Sequence, residues 1–131
     1  MQKREQVTVG VVGCGFYAQN HLNAWSDLRP DGAILAGVCD VDPERAKAAG
    51  SKFGVPYFTR LDAMLDAVPI DLVDIATRMD THRELASIAA GRGVAAVVQK
   101  PFAPSWMDCV AMVETERRHG TWLAVHEDFR F

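Results

Sequence analysis

The residues best placed to do chemistry form one hexapeptide, Gly13-Cys14-Gly15-Phe16-Tyr17-Ala18. It follows a β-branched run, Val7 to Val12, and opens a stretch with Ala18, Leu22, Trp25 and Leu28 at helical spacing. In that strand–loop–helix setting a GxGxxA pattern is a pyrophosphate cradle. Gly13 permits the tight turn, Gly15 lets a phosphate approach bare backbone, and Ala18 keeps the helix close to the sheet. Phe16 and Tyr17 occupy the variable positions between them. The helix N-terminus adds N–H groups and a partial positive charge. Asp40, 27 residues after Gly13, stands at the end of the next apolar run, Ala33 to Cys39. Its carboxylate can accept from both hydroxyls of an adenosine ribose and would repel a 2′-phosphate, so the predicted cofactor is NAD in preference to NADP. Arg45, the nearest phosphate partner, sits in the following helix. The competing reading is a tight turn in an α/β fold that binds no nucleotide, with Asp40 merely solvated. Cys14 is either a reactive thiol at a helix N-terminus or, more simply, a small filler between the glycines.

A second constellation, Gln99-Lys100-Pro101, follows the apolar run Val94 to Val98. Ligands of open α/β sheets lie beyond the carboxyl ends of the strands, which places Lys100 at the rim of the crevice. An ammonium there could bond a substrate hydroxyl and help move its proton as hydride leaves the carbon; an ordinary surface lysine is the competing reading. The four histidines show no metal-ligand spacing, and no metal site is predicted. His21 reads as a packed or capping residue, His82 as a structural hydrogen-bonding group, and His119 as a partner for the negative end of a helix. His126, near the presumed crevice, is the histidine with most scope for chemistry. No GxSxG elbow marks a hydrolase. Glu127 and Asp128 are adjacent and would point to opposite faces of a strand, which does not suit a paired-carboxylate site.

The elements that must position these groups are legible in turn. Asp42-Pro43-Glu44 starts a helix, with Asp as N-cap and Pro at the first helical position, and that helix stops near Gly54. Tyr57 and Phe58 form a short third strand. Thr59 caps a helix carrying Leu61, Met64, Leu65 and Val68. Leu72 to Ala76 is a fourth strand. Thr81-His82-Arg83-Glu84 reads as a capping box, with a helix to about Gly91. Val94 to Val98 is the fifth strand, Ser105 caps a helix ending before Gly120, and Trp122 to Val125 is the sixth strand. Six strands alternating with five helices imply a parallel sheet covered on both faces, doubly wound in the order 3-2-1-4-5-6, within one domain.

Composition agrees. The 131 residues carry 14 Lys and Arg against 17 Asp and Glu, a net charge of −3, and 49% are hydrophobic. That suffices for a core and lacks the basic face of a nucleic-acid or anionic-membrane binder. No apolar run nears the ~18–20 residues that span a bilayer. Cys14, Cys39 and Cys109, odd in number and without CxxC spacing, fit neither a disulfide framework nor a zinc site, so a cytoplasmic, reducing compartment is expected. Lys3 and Arg4 before an apolar stretch ending at Cys14 mimic a lipoprotein signal, but the stretch is short and broken by Thr8.

The joint order of GCGFYA, VCDVDPERA, KFGVPYF, IDLVDIAT, a histidine at the next helix start, QKPFA and EDFRF resembles the nucleotide-binding domain of the Gfo/Idh/MocA oxidoreductases, over about residues 6–131. The resemblance implies hydride transfer between a nicotinamide dinucleotide and a hydroxyl carbon of a sugar, cyclitol or related compound. The family's EKP lysine falls on Lys100, as acid/base or substrate-orienting group, and its proline, often cis, on Pro101. Its ribose-binding acid falls on Asp40, and its TPxxxH-like cofactor loop on Thr77 to His82. Three positions depart: Gln99 replaces the EKP glutamate and keeps only hydrogen-bonding capacity, while Arg78 and Met79 replace the residues usual after Thr77. The family also has a second α/β domain that forms much of the substrate pocket, supplies a DxxxH-type pair for proton transfer and usually forms the oligomer interface. The present sequence is expected to hold only the first domain, ending where the family crosses into the second. Implied partners are the dinucleotide, a small polyol or sugar-like substrate in the complete enzyme and a further copy of the chain, with no nucleic acid and no membrane. A chain of this kind would bind NAD and turn over little alone. A free-standing NAD sensor or non-catalytic subunit is the alternative, and a coenzyme A binder a third reading that Asp40 disfavours.

Overall fold

A computed structural model of the chain describes residues 5–126. In chain order the elements are β1 (Val7–Val12), α1 (Ala18–Asp27), β2 (Ala33–Cys39), α2 (Pro43–Phe53), β3 (Tyr57–Phe58), α3 (Leu61–Ala67), β4 (Leu72–Ile75), α4 (His82–Gly91), β5 (Ala95–Val98), α5 (Trp106–His119) and β6 (Leu123–Val125), with 3-10 turns at Arg29–Asp31 and Met79–Thr81. The sheet runs β3-β2-β1-β4-β5-β6 and every pairing is parallel. This is the predicted order, with the chain reversing direction across the sheet between β1 and β4.

Alternation along the strands divides the core. Val12, Cys39, Val73, Ile75, Ala96 and Val98 pack with Leu61 and Met64 of α3, Ala86 and Ala89 of α4 and Met112 of α5. Val11, Leu35 and Val38 pack on the other face with Leu22 of α1 and Ala49 of α2. The central strands are therefore apolar on both sides, as a covered parallel sheet requires.

Helix starts follow the sequence in two cases and depart in two. Asp42 accepts from the N–H of Glu44 (2.9 Å) and Arg45 (3.5 Å), and Ser105 Oγ accepts from the N–H of Asp108 (3.1 Å). Thr59 does not cap α3, which starts at Leu61 behind an Arg60 without a side-chain cap bond. The Thr81 capping box does not form either. The 3-10 turn holds Thr81 at φ −101°, ψ −10° rather than in extended backbone, and its hydroxyl donates back to the Arg78 carbonyl (2.7 Å). Glu127, Asp128 and the remainder of the EDFRF motif lie outside the described residues. Among the described residues, no helix is long and apolar enough to cross a membrane.

Candidate dinucleotide-binding site

The glycine-rich turn is built against the strand ends around it. Gly13 has φ +106°, and a Cβ there would lie 2.4 Å from the Ala76 carbonyl oxygen. Only glycine fits both the dihedral and the space. Its N–H donates to the Cys39 carbonyl (2.7 Å). Gly15 is different: a Cβ there would meet nothing nearer than the Arg45 Nη1 at 3.9 Å, so its bare backbone faces open space. Ala18 is buried, Tyr17 is partly exposed, and Phe16 is 96% exposed.

Asp40 is 9% exposed and anchors this turn. Its Oδ2 accepts from the Cys14 N–H and its Oδ1 from the Asp42 N–H, both at 2.8 Å. Sequence reading assigned the carboxylate to a ribose alone. Here it also joins the turn to the entry of α2, and each oxygen keeps a second lone pair for a ligand. Cys14 is the filler. Burial first, then the Asp40 charge, pushes its thiol up to about 12, which removes the thiolate that reactivity needs. Arg45 is exposed and pairs with Asp42 at 3.7 Å.

Beyond β4 and β5 lies the second half of the crevice. Gln99 is buried; its N–H donates to the Ile75 carbonyl (2.9 Å) and its Nε2 to the Tyr17 hydroxyl (3.4 Å). The motif behind β5 thus touches the glycine-rich turn. Lys100 is half-buried, and the Lys100–Pro101 bond is cis. His82 is 0% exposed. Its Nδ1 faces the Phe102 carbonyl (3.0 Å) and its Nε2 the Thr77 carbonyl (3.1 Å). Neither nitrogen is left for a ligand, so the expectation of His82 as a cofactor contact is corrected: it ties the Thr77 loop to the loop after Pro101. Arg78 is exposed and pairs with Asp80 at 3.4 Å. Trp106 is exposed, while Phe102 packs on the core.

The sequence reading missed Asp74. It is 1% exposed, and three side chains converge on it. His21 Nδ1 and Trp25 Nε1 lie 2.7 and 2.8 Å from Oδ2, and His126 Nε2 lies 3.2 Å from Oδ1. Burial would raise its pKa, but the hydrogen bonds from His126, His21 and Trp25 together outweigh that and hold the carboxyl well below the usual carboxylate range. The signal was present: one acid inside an apolar strand, Leu72-Val73-Asp74-Ile75, demands partners when both faces are covered. The histidines, without local spacing, meet through the fold, and the donor atoms of His21, Asp74 and His126 lie within 4.8 Å of one another.

Comparison with known proteins decides the family. The Gfo/Idh/MocA sequence model, described as an oxidoreductase family with an NAD-binding Rossmann fold, matches residues 7–127. The chain belongs to the Gfo/Idh/MocA oxidoreductases. Within the family it is 49% identical to a D-apiose dehydrogenase of Paraburkholderia graminis over 122 residues, which is 92% of this chain and 32% of that protein. An Agrobacterium radiobacter oxidoreductase solved with NAD+, L-tartaric acid and magnesium superimposes with a TM-score of 0.89 at 41% identity, over 95% of this chain and 36% of that one. The Bordetella pertussis WlbA dehydrogenase, solved with NADH and UDP-GlcNAcA, gives 0.87 at 33% identity, over 92% and 37%. The chain spans about a third of the length of these Gfo/Idh/MocA relatives. It is an NAD-binding Rossmann domain of this family.

Proposed function

We infer that the domain serves a dehydrogenase that removes hydride from a hydroxyl carbon of a sugar-like polyol, with NAD as acceptor. The observation that carries this reading is the junction of Gly15, open to an approaching phosphate, with Asp40, which grips the same turn at 2.8 Å. The pyrophosphate would lie along Gly13, Gly15, Phe16, Tyr17 and Ala18, where N–H groups of the α1 entry can bond it. Asp40 would hold the adenosine ribose and exclude a 2′-phosphate, favouring NAD over NADP. Thr77, Gln99 and Pro101 would border the other half of the cofactor.

When bound, the dinucleotide supplies the hydride acceptor. Lys100 would hydrogen-bond the substrate oxygen and stabilise negative charge growing there. The D-apiose dehydrogenase and the WlbA dehydrogenase solved with UDP-GlcNAcA support sugar-like substrates over unrelated alcohols. The test joins this chain to a family substrate domain and follows NADH absorbance over a panel of sugars and cyclitols. Turnover that Lys100→Met abolishes supports the reading; no turnover on any polyol, by protein that binds NAD, opposes it.

A further inference from the structure

Three polar side chains from separate parts of the fold meet beside an apolar layer. His21 comes from α1, Asp74 from β4, and His126 follows β6. Asp74 is 1% exposed, and its strand neighbours Leu72, Val73 and Ile75 are all apolar. Among the described residues, its ion-pair partners are the two histidines, and no Lys or Arg pairs with it. A carboxylate taken out of water needs a cation or a full set of donors. Here two of the donors are imidazole rings, and imidazole nitrogens are the commonest metal ligands in proteins.

The atoms that could hold an ion already converge. His21 Nδ1, a carboxylate oxygen of Asp74 and His126 Nε2 lie within 4.8 Å of one another. Zinc bonds to nitrogen and carboxylate oxygen measure about 2.0–2.2 Å, so neighbouring ligand atoms of a tetrahedral site stand about 3.3–3.5 Å apart. His126 Nε2 lies 3.2 Å from Asp74 Oδ1, close to that spacing. His21 Nδ1 lies 2.7 Å from Oδ2, a gap that must open by less than about 1 Å, which a small rotation of the ring supplies. The two rings meet edge-on at 5.0 Å, so they approach the carboxylate from different directions. The Trp25 N–H donates to Oδ2 at 2.8 Å, the kind of outer hydrogen bond that orients a ligating carboxylate. The His126 N–H donates to the Val98 carbonyl at 2.8 Å, which fixes the backbone of the third residue. Its side chain is 34% exposed, so the cluster is open to solvent.

We propose that His21, Asp74 and His126 form a binding site for a divalent transition-metal ion of the zinc class. Two imidazole nitrogens and one carboxylate suit Zn2+ or Co2+ and not the oxygen shells of Mg2+ and Ca2+. Three protein ligands leave a fourth position for water. His21 binds through Nδ1 and His126 through Nε2, so each ring keeps its proton on the other nitrogen. The ion takes the place of the two imidazole hydrogen bonds to Asp74 and joins α1, β4 and the chain after β6 at one point. Its role is that of a staple. It ties the helix that opens at the glycine-rich turn to β4 in the sheet, and both to the end of β6, the strand that pairs with β5 ahead of Lys100. The inference stands apart from the dehydrogenase reading, which assigns none of the three residues to cofactor or substrate.

The test is calorimetric titration of the chelator-treated 131-residue chain with Zn2+ and, separately, with Mg2+. Cys109, which is only partly covered, is first replaced by Ser so that its thiol cannot compete. We expect one Zn2+ per chain with a micromolar or tighter Kd, no uptake of Mg2+ at the same concentrations, and a melting temperature raised by at least ~5 °C at saturation. Ring-nitrogen NMR of the Zn2+-loaded chain should show His21 as the Nε2–H tautomer and His126 as the Nδ1–H tautomer. Trp25→Phe removes only a group that orients Asp74 and should weaken Zn2+ by ~10–100-fold. His21→Gln and His126→Gln remove ligands and should each cost more than that. His126→Gln sits at a partly exposed position and keeps the test valid where Asp74→Asn unfolds the chain. A folded wild-type chain that takes up no Zn2+ at submillimolar concentration overturns the proposal. So does Zn2+ binding that His21→Gln and His126→Gln leave unchanged, which would put the ion on other surface groups.

Discussion

The Cys14 N–H donates to Asp40 Oδ2 at 2.8 Å, across 26 residues of chain. The two halves of the dinucleotide fingerprint are therefore one hydrogen-bonded unit before any ligand arrives. A group that both shapes the turn and faces the ribose affects stability and affinity together. Hydrogen bonds to a carboxylate contribute ~1.5–3 kcal/mol. Asp40→Asn puts an amide NH2 against one of two backbone donors. We expect a stability loss of about 2 kcal/mol by urea titration, a NAD affinity lower by about tenfold, or ~1.4 kcal/mol, and a reduced preference for NAD over NADP.

The two motif glycines should fail in different ways. A methyl at Gly13 would sit 2.4 Å from a backbone oxygen at φ +106°, so Gly13→Ala should unfold or severely destabilise the domain, by roughly 3 kcal/mol or more. At Gly15 the nearest atom is 3.9 Å away, so Gly15→Ala should fold with near-wild-type stability and bind NAD poorly. Thermal melts and calorimetry on both variants separate the two roles.

Asp74 should make stability fall in acid. Its folded pKa lies below the ordinary 3.8, so its stabilisation is complete above the unfolded value and is lost as pH drops from about 4 towards the lower folded value. Asp74→Asn should cost roughly 3 kcal/mol at pH 7. The gap between wild type and variant should narrow from pH 5 to pH 2.5. Parallel stability curves through that window would contradict the account.

Thiol labelling should be graded. Burial first pushes Cys14 and Cys39 up to about 12, and both are buried, whereas Cys109 is only partly covered. In native protein a thiol reagent should modify Cys109 first, with Cys14 and Cys39 reacting only on unfolding. Cys109→Ser should remove the fast phase.

The strand order and the cofactor motif were legible because each rests on local pattern: β-branched runs, a GxGxxA turn and an acid one strand later. Asp42 and Ser105 read correctly as caps because capping is decided within three residues. Thr81 did not, since a 3-10 turn intervened and its hydroxyl found Arg78. His82 was placed on the right helix, yet its burial depends on two loops far apart in sequence, which no local pattern encodes. The Asp74 cluster was missed for the same reason: its partners stand 53, 49 and 52 residues away. Only the misfit of an acid in an apolar strand announced it.

The most direct test of the central claim is calorimetric titration of the folded 131-residue chain with NAD+, run beside NADP+ and the Gly15→Ala variant. The account predicts saturable binding at one site per chain, tighter for NAD+ than for NADP+, and strongly weakened by the added methyl. A folded chain that takes up no NAD+ at millimolar concentration, or binds it equally well after Gly15→Ala, would contradict it.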